Sequence, residues 1–174
     1  MSTRTLVAGL AVLALSTGGA AAQQAKPSDP QIAHIAYTAG VIDVKAAQQA
    51  LQKSRNKEVR GFAQDMVRDH TAVNDQALAL VKKLHVTPQD NPTSQALVKQ
   101  ADAERQKLAK LKGKAFDRAY AQNEVAYHQT VDNALQTTLI PSAQNPELKS
   151  LLETGLKIFQ GHEQHAEQVA ADLK

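Results

Sequence analysis

Three Asx-Pro pairs, Asp29-Pro30, Asn91-Pro92 and Asn145-Pro146, open stretches whose apolar residues recur every three or four positions. An Asp or Asn in that place offers a side-chain acceptor to the free amides of a first helical turn, and proline at the next position gives up no hydrogen bond. No stretch alternates with period two for long enough to read as a strand. The chain is thereby restricted to helices packed on helices.

The spacing predicts a first helix over about 30–53, with Ile32, Ile35, Ala39, Ala46 and Ala50 on one face. Ser54-Arg55-Asn56 breaks it, and Asn56 is placed to cap a second helix carrying Val59, Phe62, Met66, Val73, Ala77, Val81 and Leu84. A loop over 86–91, with Pro88 inside, leads to a shorter amphipathic helix with Leu97, Ala101, Leu108 and Leu111 inward and Gly113 as its C-cap. A third long helix begins near Lys114, buries Phe116, Tyr120, Val131 and Leu135, and is stopped by Pro141. The fourth starts at Pro146 and carries Leu148, Leu151, Leu152, Phe159, Ala166 and Val169. The expected fold is all-α, an antiparallel four-helix bundle with a short extra helix between the second and third long ones.

Residues 1–22 read as a cleaved secretory signal peptide: Arg4, an apolar run from Thr5 to Leu15, then Ala20-Ala21-Ala22 as an A-x-A site. The run is too short to span a bilayer. The remaining 23–174 make one helical-bundle domain, periplasmic or secreted, with no membrane span. The chain has no cysteine, which excludes disulfides, thiol chemistry and a lipid anchor. Its formal charge of +3 is a mild bias without aromatic-basic interleaving, so nucleic acid is not an expected partner. No phosphate loop or nucleophile elbow is present.

Polar residues interrupt the apolar stripes, and these are the candidate site. Asp43 follows Ala39 by four and precedes Ala46 by three; His70 follows Met66 by four and precedes Val73 by three. Glu124 and His128 continue the row of Phe116 and Tyr120, and the last helix presents His162, with His165 on an adjacent face. Gly161 beside His162 would admit a close neighbour. Asp69 is turned about 100 degrees from His70 and reads as a supporting or surface charge. His34 and His85 read as structural or solvated, and Tyr37, Tyr120 and Tyr127 as possible donors to a polar layer. Buried acids and imidazoles must pair, neutralise or bind a metal. Measured along the helices, Asp43 with His70, and Glu124 and His128 with His162, fall at heights that permit one shared layer. Asp43, His70, Glu124, His128, His162 and His165 are thus candidate metal ligands, the alternative being an internal polar network.

The run Asn56-Lys57-Glu58-Val59-Arg60-Gly61-Phe62-Ala63-Gln64-Asp65-Met66-Val67-Arg68-Asp69-His70 resembles the central motif of exported DUF4142 proteins. Gly113-Lys114-Ala115-Phe116-Asp117-Arg118-Ala119-Tyr120, His128, Asn145-Pro146-Glu147-Leu148-Lys149 and His162 extend the likeness from about Asp29 to Leu173. The resemblance implies a ferritin-like four-helix bundle, often labelled an outer-membrane protein, without an established activity. It also implies an acid at Asp43 and histidines at His70, His128 and His162. Neither barrel strands nor a second hydrophobic span support the membrane label.

Di-iron bundles use Glu-x-x-His on two helices and a carboxylate from each of the others. Here the set is Glu-x-x-x-His, His-x-x-His, Asp-His and a lone Asp, richer in imidazole, which favours Zn, Cu, Ni or mononuclear Fe. The leading expectation is a protein that buffers or senses a transition metal, or protects against metal stress. A metal-dependent redox or hydrolytic enzyme with Glu124 as base, and a metal-free structural protein with an envelope partner, are the rivals.

Overall fold

A computed structural model describes residues 26–173; the expected signal segment, residues 1–22, lies outside them. The helices are α1 (Asp29–Lys53), α2 (Lys57–Lys83), α3 (Pro92–Lys110), α4 (Gly113–Ala134), the short α5 (Ile140–Ser142) and α6 (Pro146–Asp172). Asn56 Oδ1 accepts the amides of Glu58 and Val59, and Asn145 Oδ1 those of Glu147 and Leu148, so two of the predicted caps are in place. Asn91 Oδ1 likewise accepts Ser94 N–H.

Three local expectations are corrected. Ser28, not Asp29, is the N-cap of α1, and Gln31 accepts its backbone amide. Asp29 is instead drawn across the bundle, where its two carboxylate oxygens take the amides of Gln144 and Asn145 at 2.8 Å each. Gly113 does not close α3; α3 ends one turn earlier, and Gly113, at φ +53°, turns the chain into α4. Pro141 does not stop the helix either. Its ring crowds the carbonyl four residues back, and the chain yields by widening to one π-turn, Leu135–Leu139, with Ile140 N–H bonded to Leu135 O.

The ends show how the elements run. Asp29 ties the start of α1 to the start of α6, and Asn91 Nδ2 donates to Gln31 O, placing the start of α3 at the same end. At the other end Lys53 Nζ donates to Ala109 O and sits 5.5 Å over the ring of Phe116. α1 and α6 therefore run one way and α2 and α4 the other, while α3 retraces the bundle as its long crossover, the ferritin-like connection. α1 packs on α2, α4 on α6 and α2 beside α6, and α3 lies along the α1–α4 side.

The core has two apolar halves. Phe62, Met66, Phe116 and Tyr120 fill one, beside the small residues Ala46, Ala47 and Ala50. Ile32, Ile35, Leu135, Leu139, Leu148 and Leu152 fill the other. Buried Asp43, His70, Glu124, His128 and His162 sit on the turns between these sets. No described helix is long and apolar enough to cross a membrane.

Candidate metal centre

Each long helix carries its polar residues to the layer on the same row that buries its apolar ones. The α2 row runs Met66, His70, Asn74; the α4 row runs Tyr120, Glu124, His128, Asp132, in four-residue steps that keep one face. On α1 the row is mostly small, and this lets α2 close in: a Cβ on Gly40 would collide with the Asn74 side chain. That close approach brings Asp43 Oδ2 within 3.4 Å of His70 Nδ1. Gly161 has no such role, since a Cβ there would meet nothing within 4 Å.

His70, His128 and His162 form a triangle with ring centroids 5.1 to 5.8 Å apart. His70 is 2% exposed, His128 1% and His162 6%. One donor atom from each lies within 4.8 Å of the others, and the same holds for Asp43, Glu124 and His128. Five of the six residues singled out in the sequence thus converge from four helices, with His128 common to both groups. His165 stands apart from both groups, half-buried, with its ring edge-on to Phe62 at 5.1 Å.

Hydrogen bonding fixes which nitrogens are free. His128 Nδ1 donates to Glu124 O at 2.9 Å, which leaves Nε2 as a bare lone pair, buried and without a partner. His162 Nε2 donates to Asp69 Oδ2 at 3.0 Å, so its Nδ1 is the free one, 3.3 Å from His70 Nε2. Asp69 is therefore the supporting carboxylate that its turned position suggested, held in turn by two bonds from Arg68. Both Glu124 oxygens are buried and unpartnered. Phe159 stacks on His70 with centroids 4.5 Å apart and fixes that ring's plane.

The electrostatics follow from burial. Desolvation holds His70 well below the ordinary imidazole range, with the neighbouring His128 and His162 adding to it. It lowers His162 as well, against the pull of Asp69, and takes His128 down to about 4. All three are neutral imidazoles near pH 7. Burial pushes Glu124 up to about 8, and pushes Asp43 well above the carboxylate range with Glu124 and Asp132 adding to it. Asp69, by contrast, is lowered, chiefly by the bonds from Arg68.

The sequence reading missed Asn74, Asp117 and Asp132, all buried. Asn74 and Asp132 were within reach, each one four-residue step beyond a chosen residue. Asp117 carries no such signal. Tyr127 donates to Ala39 O at 3.2 Å, while the Tyr120 hydroxyl is buried without a partner. His34 Nδ1 sits 2.9 Å from Ser94 Oγ, tying α1 to α3. A cavity of about 530 Å³ in the second apolar half reaches Asn74 and Phe159, but the three imidazoles are not among its lining residues.

Residues 14–169 match the family described as a domain of unknown function, DUF4142. No curated protein sequence matches the chain significantly. Among solved structures the fold is similar to a DUF305 protein from Streptomyces coelicolor, with a TM-score of 0.70 at 14% identity over 82% of this chain and 91% of that one. It is also similar to CopM in the Cu(II)-bound form, with a TM-score of 0.63 at 16% identity over 84% of this chain and 98% of that one. At such identities the likeness is one of fold. The family match spans most of the sequence, and this chain belongs to the DUF4142 family.

Proposed function

We propose that this chain is exported and holds a transition-metal cation in the core of its bundle, as a buffer or store rather than as an enzyme. His70 Nε2, His128 Nε2 and His162 Nδ1 would be the nitrogen donors, with Asp43 and Glu124 beside them. The observation that carries this reading is the set of buried groups without partners: His128 Nε2 and both oxygens of Glu124, inside donor groups no wider than 4.8 Å. Leaving such atoms unpaired costs about 1–3 kcal/mol each. One cation would satisfy them together.

The donor distances support the same reading. Two imidazole nitrogens on one tetrahedral ion, each at about 2.0–2.1 Å, stand about 3.3–3.4 Å apart. His70 Nε2 and His162 Nδ1 are 3.3 Å apart. His70 and His162 each face a carboxylate with the other ring nitrogen, the arrangement that orients imidazole ligands in metal sites. Three imidazoles suit Cu, Zn, Ni or Fe, and among divalent ions Cu(II) binds such a set most tightly. The fold neighbour CopM, solved with Cu(II), makes copper the first ion to test.

The test is elemental analysis of protein expressed from the full chain and purified without a tag from the periplasmic fraction, beside its His70→Ala/His128→Ala double variant. Near-stoichiometric metal in the wild type alone is expected. No metal in either after exposure to Cu(II), Zn(II) and Fe(II) would reduce the layer to an internal polar network.

A further inference from the structure

We infer that the cation reaches the histidine layer through the cavity between α1, α3 and α4, with Asp43 and Glu124 as the first side chains to hold it. This rests on the metal-holding reading above and adds a route to it. The cavity, about 350 Å³, is lined by Asp43 of α1, by Ala101 and Glu104 of α3, and by Asn123, Glu124 and Tyr127 of α4. Glu124 is 1% exposed and both its oxygens lack partners, so the floor of the cavity is an unsatisfied cation-binding surface. Asp43, Glu124 and His128 form one donor group, and His128 belongs also to the imidazole group. A cation held by the two carboxylates is then one short transfer from the imidazoles.

On the opposite side of the bundle the nearest polar groups are already engaged. There His162 Nε2 is committed to Asp69, and Asp69 is bonded by Arg68 Nε at 2.7 Å and by Arg68 Nη2 at 2.9 Å. An approaching cation meets a guanidinium before it meets a free donor. Of the basic groups lining the α3 cavity, Lys107 is paired to Glu104 at 2.8 Å and Arg105 Nη2 to Asp102 at 3.3 Å, while Arg105 Nε is buried without a partner. The crossover helix thus covers this side of the donor layer, and the cavity beneath it leads to Asp43 and to the unpartnered carboxyl of Glu124.

Stopped-flow uptake of Cu(II) by the full chain, read by its ligand-field absorption, tests the route. Ala101→Trp, which narrows the cavity and replaces none of the donors, should slow association and dissociation together by about tenfold at little-changed Kd. Glu124→Gln should slow association as well. Circular dichroism checks that each variant folds, and Ala101→Leu repeats the test with a smaller plug. Wild-type rates in folded Ala101→Trp or Ala101→Leu would overturn the route while leaving the site intact. Absence of Cu(II) uptake by the wild type would instead remove the metal-holding reading on which the route rests.

Discussion

His162 Nδ1 faces His70 Nε2 across 3.3 Å in the middle of the bundle, and one proton decides what that contact is. Because His162 Nε2–H is given to Asp69, Nδ1 of His162 is an acceptor. Without a metal, His70 must carry its hydrogen on Nε2 and donate it to His162. Its Nδ1 is then the acceptor that faces Asp43, whose carboxyl is raised by burial well above the ordinary carboxylate range, favouring the protonated form. With a cation between the two rings, His70 must move its hydrogen to Nδ1 and donate to an ionised Asp43.

That exchange predicts proton release. Cation binding should expel one proton through Asp43, and a second through Glu124 where that carboxyl ionises, about two per ion near pH 7. Asp43→Asn and Glu124→Gln should each lower the count by about one. Titration calorimetry in two buffers of different ionisation enthalpy measures it. A count of zero in the wild type would refute the tautomer exchange.

Donors and supporters should separate in binding assays. His128→Ala, which removes the free nitrogen shared by both donor groups, should reduce bound Cu(II) from near-stoichiometric to trace. Asp69→Asn, which only orients His162, should weaken affinity by about 10–100-fold while saturation still reaches one ion. Competition with a chelator of known affinity reads both.

The pH dependence of the metal-free protein follows from two opposite shifts. Glu124 rises from an ordinary value of 4.5 to about 8, so its contribution is full below about 4.5 and is lost progressively as pH climbs to about 8. His128 falls from 6.5 to about 4, so its contribution is present above about 6.5 and lost as pH drops toward 4. The melting temperature in chelator should therefore peak between the two limbs. Glu124→Gln should flatten the alkaline limb, though not abolish it, since Asp43 is shifted the same way. A series of thermal melts from pH 5 to pH 9 in both proteins checks this.

Two glycines on neighbouring helices should respond oppositely to alanine. Gly40→Ala drives a Cβ into Asn74 between α1 and α2 and should destabilise by about 1–3 kcal/mol. Gly61→Ala meets nothing within 4 Å in the second turn of α2 and should stabilise by about 0.5–1 kcal/mol through helix propensity alone. Urea unfolding of the two variants against the wild type measures both.

Helix placement was legible because caps and apolar rows are local. Asn56, Asn91 and Asn145 act on amides two or three residues away, so sequence distance and spatial distance agree. Where the expectation failed, the competing interaction was long-range or a matter of local strain. Asp29 left its capping place for amides 115 and 116 residues on, and Pro141 was absorbed by a π-turn. The polar rows were read one step short at Asn74 and Asp132, an omission that extending the four-residue spacing would have mended.

The sequence by itself determined that four helices present Asp43, His70, Glu124, His128 and His162 on their apolar faces, because a helix of 3.6 residues per turn puts residues four apart on one side. It could not determine that these side chains meet. That depends on helix direction and depth, which α3 sets by retracing the bundle and which Gly40 sets by letting α1 close on α2. Only the tertiary structure decided which nitrogen of His162 is free, because Asp69 comes to it from another helix, whereas the bond that frees His128 Nε2 is local, to Glu124 O one turn back. It also left His165 edge-on to Phe62, since the adjacent face of α6 points outside the donor layer.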